Sequence, residues 1–168
     1  LRQGDESWKT VLMGGKLRVG PFGCAVFALR DALEEFGYQY EPIGFVELLQ
    51  NQGMLPNGRL RLGDVSWLHP ELMSERRDTP TGAEALAEAL RLSREGALVL
   101  LRFKRDGRRA HWVFLSPRPA IDGSPLVRDP AYGFEFALDA IYDPEKIDGM
   151  TVIRKVPLPV QIAAAEVG

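Results

Sequence analysis

The sequence predicts an α+β fold in which helices come first along the chain and antiparallel strands follow. Two observations support this prediction. Before about residue 95 the main predicted elements are helices, and in the first of them apolar residues recur at steps of three and four, which is helical spacing. From residue 97 onward they form short runs separated by turn residues, which is typical of strands joined by hairpins. Helices followed by strands favour a segregated α+β layout over alternating β–α units.

The composition predicts one globular domain over residues 1–168. The chain is 45% hydrophobic and 26% charged, which is ordinary for a folded domain. Its net charge of -2 gives no general reason to expect nucleic acid as a partner, and no apolar run is long enough for a membrane span. One cysteine excludes an internal disulfide. The leucine start and the lack of a signal peptide suggest a processed product or part of a larger protein.

The first helix is predicted to begin near Cys24 and to end before Gly37. One apolar stripe runs along it, formed by Phe22, Val26, Leu29, Leu33 and Phe36. Gly37 suits the left-handed residue that ends many helices. The residues before the helix show no sustained period, so we expect a loop-rich entry over 1–23 and a mainly helical region over 24–95.

Two more helices are predicted in the mainly helical region. The second begins near Pro42, because proline suits a first turn. Its apolar face is formed by Ile43, Val46 and Leu49. The third covers about 80–95. Between them, 54–79 is expected to be loop with a short strand around Leu60–Leu62.

Residues 97–156 are predicted to be mainly strand. ALVLLRF at 97–103 is typical of a buried strand, and the Asp-Gly of RDGR tolerates the positive φ angles of a tight hairpin turn. The return strand is expected at 110–116. Three further strands are expected, at 125–130, 134–138 and 150–156. The hairpin residues Arg108 and Arg109 are interpreted as solvated, although they could attract an anionic partner.

The only cysteine, Cys24, lies where the loop GPFGC enters the first helix. A free cysteine is often a small buried apolar residue, and that interpretation stays open on position alone. At a helix N-terminus, however, unpaired N–H groups and the helix dipole favour the thiolate, which is the reactive form. A nucleophile of this kind also needs a base elsewhere in the chain.

Two histidines could serve as that base. His111 shares a face of its predicted strand with Val113 and Leu115, so it is either a core residue or a placed functional group. His69, in WLHPE, is expected to be a loop residue. Asp129 ends the strand in LVRDP, where a carboxylate either forms a turn or orients a histidine.

The sequence gives no support for a metal or a cofactor. One cysteine and two distant histidines lack the short paired spacing of zinc ligands, and GGKLRVG lacks the spacing of a phosphate-binding loop. No pair among the 23 acidic residues stands out as a glycosidase pair. Trp8, Trp67 and Trp112 are expected in the core or in a cleft wall.

The order of the motifs is more specific than any one of them. Gln3 and DESW are followed by LMGGKLRVGPFGC and a helix, and much later by HWVFLSP and RDPAYG. This order resembles the papain-like cysteine peptidases of the bacteriocin-leader-processing (double-glycine) type, and the broader peptidase-like domains of bacterial and phage proteins. The match runs from residue 3 to about 133. It implies a papain-like fold, with N-terminal helices packed on a C-terminal antiparallel sheet.

The resemblance also implies roles for individual residues. Cys24 would be the nucleophile, and His111 the general base that later protonates the leaving amine. Asp129 would hold the imidazole in the useful tautomer. Gln3 would donate its side-chain amide to the oxyanion, together with the Cys24 backbone N–H.

The implied function is hydrolysis of a peptide or amide bond in a precursor peptide, a protein or a cell-wall peptide. Gly23 and Trp112 would lie beside this substrate. Two other functions stay open. One is a non-catalytic structural or wall-binding module of a phage particle or a larger secreted protein, and the other is an acyl transferase with the same order of Cys, His and Asp.

Overall fold

The computed structural model describes residues 1–78, 82–105, 107 and 109–157. The helices within these residues are α1 (Val19–Phe22), α2 (Cys24–Glu35), α3 (Pro42–Asn51) and α4 (Gly82–Arg94). The strands are β1 (Leu12–Met13), β2 (Leu17–Arg18), β3 (Leu72–Arg77), β4 (Leu98–Phe103), β5 (His111–Leu115), β6 (Leu126–Asp129), β7 (Phe134–Ala137) and β8 (Ile147–Lys155). The predicted α+β class is confirmed.

Strands β3 to β8 form one antiparallel sheet in the order β3-β8-β4-β5-β6-β7. The predicted hairpin joins β4 to β5, with Phe103 opposite His111 and Val99 opposite Leu115. Gly107 lies in its turn with φ +61°, a conformation that glycine adopts without strain. This register places His111 at the first position of β5, at one end of the sheet.

Apolar side chains cover both faces of the sheet. Helix α2 packs on one face and carries α3 on its outer side, whereas α4 packs on the other face. The face under α2 includes Leu98, Leu100, Phe114 and Ile153. The face under α4 includes Val99, Leu101, Val113, Leu115 and Val152. The alternation along β4 and β5 therefore follows the predicted period of two.

Helix α2 matches its predicted bounds closely. Leu29 and Leu33 are fully buried, and burial of each side chain contributes about 2 kcal/mol to folding. Gly37 adopts φ +90° just after the helix, and its N–H donates to the Glu34 carbonyl at 2.9 Å. Packing of α2 against β5 fixes where the helix begins relative to the sheet.

The region between α3 and α4 differs from the prediction. Residues around Leu60–Leu62 do not form a strand; short 3₁₀ turns occur at Pro56–Gly58 and Leu62–Trp67. The strand is instead β3, whose sequence LMSERR reads as polar. Because β3 lies at the sheet edge, it is paired on one side only and can expose charged side chains.

Smaller differences occur elsewhere. Ile43, predicted on the apolar face of the second helix, is 41% exposed. The entry over 1–23 contains the β1–β2 hairpin and α1. Strand β8 begins three residues before the predicted position. Arg108 lies outside the described residues. No helix in the described ranges is long and apolar enough to cross a bilayer.

Candidate active site

Cys24 is the first residue of α2 and is half-buried. The turn before it is tight, because the Gly23 N–H donates to the Val19 carbonyl at 2.7 Å. A Cβ atom on Gly23 would lie only 2.6 Å from that oxygen. Gly23 is itself buried, so glycine is needed here for backbone packing. The placement of Gly23 beside a substrate stays a prediction.

His111 and Asp129 form a buried pair at the ends of neighbouring strands. The His111 Nε2 atom lies 2.7 Å from Asp129 Oδ1, and the two residues are 5% and 1% exposed. His111 also lies beside Cys24: the two residues line one cleft, and each shifts the pKa of the other. Since Nε2 faces Asp129, the other ring nitrogen, Nδ1, is left for the sulfur. The structure thus brings the three sequence-predicted residues together in one chain of contacts.

Two further groups hold the Asp129 carboxylate. The Ala131 N–H donates to Oδ1 at 2.7 Å, and the Tyr142 hydroxyl donates to Oδ2. The Tyr142 ring stacks on Phe103 with centroids 4.4 Å apart. Sequence reasoning missed Tyr142, because nothing in the surrounding IYDPE marks it as different from any other tyrosine. Only the path of the chain from β7 to β8 returns it to Asp129.

These contacts shift the titration of all three groups. Burial by itself would raise the pKa of Cys24, but the hydrogen bond and charge of His111 outweigh it, helped by the N–H groups of Trp112 and Ala25, and lower this pKa. Burial opposes protonation of His111, yet its bonds to Asp129 and Cys24 raise its pKa to about 8. Burial would raise the pKa of Asp129, but hydrogen bonds from His111, Tyr142 and the Ala131 N–H outweigh it and lower this pKa. The lowered pKa of Cys24 and the raised pKa of His111 both act in the direction of a thiolate–imidazolium pair.

Gln3 reaches this site although it lies 21 positions before Cys24. Its backbone N–H donates to the Pro130 carbonyl at 2.8 Å, and its Nε2 donates to the Gly20 carbonyl at 2.6 Å. The Gln3 Oε1 atom is buried without a partner among the described residues. Gln3 lines a cleft together with Cys24 and His111. A primary amide nitrogen carries two N–H groups, so Nε2 has one more than the bond to Gly20 uses.

Two clefts meet at Cys24. The larger one, about 800 Å³, is lined by Phe22 and Trp112 and does not include His111. The smaller one, about 520 Å³, lies over Gln3 and His111. Trp112 therefore lies in a cleft wall that also includes Cys24, in agreement with the prediction of a cleft wall. Trp8 packs on Phe27, and Trp67 is 48% exposed.

His69 belongs to a different part of the molecule. Its ring stacks on Tyr38 with centroids 3.6 Å apart, and its Nε2 is hydrogen-bonded to the Tyr40 hydroxyl. Burial lowers its pKa. Within the described ranges, no group of three or more His, Cys, Asp or Glu side chains could hold a metal ion.

Comparison with known proteins assigns no family to this site. No family model matches the chain, and no curated protein matches its sequence.

Proposed function

We propose that this chain is a papain-like cysteine hydrolase of peptide or amide bonds. The observation that carries the proposal is the chain of contacts from Cys24 through His111 to Asp129. A core cysteine needs no partner of this kind, whereas a nucleophilic thiol needs a base and an orienting group. The helix start, the lowered pKa of Cys24 and the adjoining clefts support the same function.

We assign a residue of the site to each step of the proposed reaction. The Cys24 thiolate attacks the substrate carbonyl carbon, and the oxyanion accepts hydrogen bonds from Gln3 Nε2 and the Cys24 backbone N–H. The His111 imidazolium gives its proton to the leaving nitrogen as the C–N bond breaks, which leaves a thioester on Cys24. Water then attacks the thioester and gives a proton to His111, and the carboxylic acid leaves with the thiolate restored.

The first test is alkylation by iodoacetamide, followed by mass spectrometry. Cys24 is the only thiol in the chain, so any thiol adduct reports on it. We expect the folded protein to be labelled rapidly at pH 7. His111→Ala should slow labelling and move its pH dependence up toward the ordinary thiol pKa of 9.0, because it removes the groups that stabilise the thiolate. His69→Gln is the matched control and should label like the wild type.

The second test is hydrolysis of a diverse peptide library, with products identified by mass. We expect new termini with the wild type and none with Cys24→Ala. Labelling only after unfolding would contradict the proposal and favour a non-catalytic module. Transfer of the acyl group to an added amine instead of water would favour a transferase.

A further inference from the structure

The larger cleft beside Cys24 is strongly basic in a chain whose net charge is -2. Asp64 is the acidic side chain in its lining. Five arginines line the same cleft: Arg59, Arg61, Arg76, Arg102 and Arg109. A lining with five arginines and one aspartate, in a chain of negative net charge, points to a negatively charged ligand.

Internal ion pairs neutralise only part of this charge. Arg102 is paired closely, with its Nε 2.7 Å from Asp148 Oδ1. Arg61 and Arg76 lie 3.8 and 3.7 Å from the carboxylates of Asp64 and Asp78, too far for a hydrogen bond.

Two of the five arginines make no ion pair with the described residues. Arg59 is exposed at the end of a 3₁₀ turn. Arg109 lies over the Phe22 ring, with the guanidinium carbon 4.2 Å from the centroid. This stacking holds its charge at the junction of both clefts, next to Cys24.

The lining also offers apolar and hydrogen-bonding groups. Phe22, Leu60 and Trp112 form apolar patches in the cleft. Thr151 lines it too; it is 1% exposed, and its Oγ1 has no hydrogen-bond partner among the described residues. An extended peptide presents successive side chains to opposite sides, so it can place apolar side chains on these patches and acidic ones toward the arginines.

The position of His111 decides which part of a substrate enters this cleft. His111 must protonate the leaving nitrogen, so the leaving segment lies over the smaller cleft, which His111 lines. The larger cleft also borders Cys24, but His111 is not among its lining residues. The acyl segment, which forms the thioester, therefore occupies the basic cleft.

We propose that the substrate is a polypeptide with acidic side chains in the segment that precedes the cleaved bond, and that Arg59 and Arg109 select it. This inference rests on the proposed function and adds the chemical class of the substrate. The partner is a carboxylate-bearing peptide chain of alternating acidic and apolar residues.

The test uses two chloromethyl ketone probes that differ only in charge, acetyl-Glu-Leu-Glu-Ala and acetyl-Gln-Leu-Gln-Ala. Such probes place their peptide on the acyl side and alkylate the catalytic thiol. We expect the Glu probe to label Cys24 about 5- to 20-fold faster at low salt, because each exposed ion pair contributes up to a few-fold. The advantage should shrink at 0.5 M NaCl.

Arginine variants test which residues cause the preference for the Glu probe over the Gln probe. Arg59→Gln should reduce the ratio of the Glu rate to the Gln rate by about threefold, and Arg59→Gln with Arg109→Gln should abolish most of it. The matched control is Arg94→Gln, at the exposed end of α4 and outside the lining of both clefts, which should keep the wild-type ratio.

The outcomes separate this inference from the proposed function. Equal labelling by both probes, or faster labelling by the Gln probe, in a protein that reacts rapidly with iodoacetamide would overturn the acidic substrate and leave the hydrolase standing. Slow iodoacetamide labelling would overturn both. Protection of Cys24 by a single-stranded oligonucleotide at lower concentration than by the Glu-Leu-Glu-Ala peptide would overturn a polypeptide as the partner.

Discussion

The Tyr142 hydroxyl donates a hydrogen bond to Asp129 Oδ2, on the opposite side of the carboxylate from His111. With the Ala131 N–H, this bond satisfies a carboxylate that is 1% exposed. A buried carboxylate with too few donors would take up a proton or turn away from His111. Tyr142 thus acts as a positioning residue for the proposed triad.

Tyr142→Phe should lower kcat/KM by about tenfold, because losing one buried hydrogen bond costs roughly 1–2 kcal/mol in the orientation of Asp129. It should lower the free energy of unfolding by a similar amount. Steady-state hydrolysis and urea denaturation measure the two effects. Tyr132→Phe is the matched control, since Tyr132 is 45% exposed and lies on the aromatic face of β7. Wild-type activity in Tyr142→Phe would contradict a positioning role.

Asp129→Asn should move the alkaline limb of the pH–rate profile to lower pH. His111 has a pKa of about 8, so it is protonated below that pH and loses the proton needed by the leaving group above it. Asparagine removes the charge and the strong hydrogen bond that raise this pKa. We also expect kcat to fall by about 100-fold or more. The measurement is kcat from pH 5 to pH 10.

One outcome for Asp129→Asn would contradict the proposed role of His111 as the acid. If the alkaline limb of Asp129→Asn stays near pH 8, then another group sets it, and His111 is not the acid. Circular dichroism at each pH excludes unfolding as the cause of lost activity.

The sequence predicts the elements that carry Cys24, His111 and Asp129, because each has a strong local signal. The stripe of α2 and the Asp-Gly turn before β5 are determined by neighbours in sequence. Strand β3 had no such signal, because an edge strand exposes charged residues and so lacks alternation. These residues form a strand because they pair with β8, which lies far along the chain.

The parts of the site that depend on long-range packing could not be derived from local pattern. Tyr142 and Asp129 belong to separate segments and meet only in the folded chain. The arginines that line the larger cleft likewise come from several separate segments. Gln3 was assigned by resemblance alone, and its bonds to Pro130 and Gly20 explain how a distant residue reaches Cys24. The close approach of the Val19 carbonyl to Gly23 likewise cannot be derived from local sequence pattern.

Gln3→Ala should lower kcat by about 100-fold while leaving the rate of iodoacetamide labelling unchanged. The reason is that Gln3 would stabilise the oxyanion, whereas it is not among the groups that shift the pKa of the Cys24 thiol. Gln50→Ala is the matched control, because Gln50 also anchors a loop, through the Gly14 N–H at 2.9 Å. Equal losses of activity in the two variants would mean that Gln3 serves only as a loop anchor.

Gly23→Ala tests whether the turn before α2 fixes the nucleophile. Its Cβ would lie 2.6 Å from the Val19 carbonyl oxygen, so the backbone must shift at the residue before Cys24. We expect the free energy of unfolding to fall by about 1–3 kcal/mol, and iodoacetamide labelling to slow as Cys24 moves from His111.

Gly44→Ala provides the matched comparison for this substitution. Gly44 lies in α3 with no atom within 4 Å of an added Cβ, so alanine should stabilise that helix by up to about 1 kcal/mol and leave labelling unchanged. Urea denaturation and the labelling rate are measured on both variants. Because Gly23 and Gly44 are both replaced by alanine, a difference between them reports the surroundings of Gly23. If Gly23→Ala labels as fast as the wild type, then contacts with β5, rather than the turn, hold Cys24 against His111.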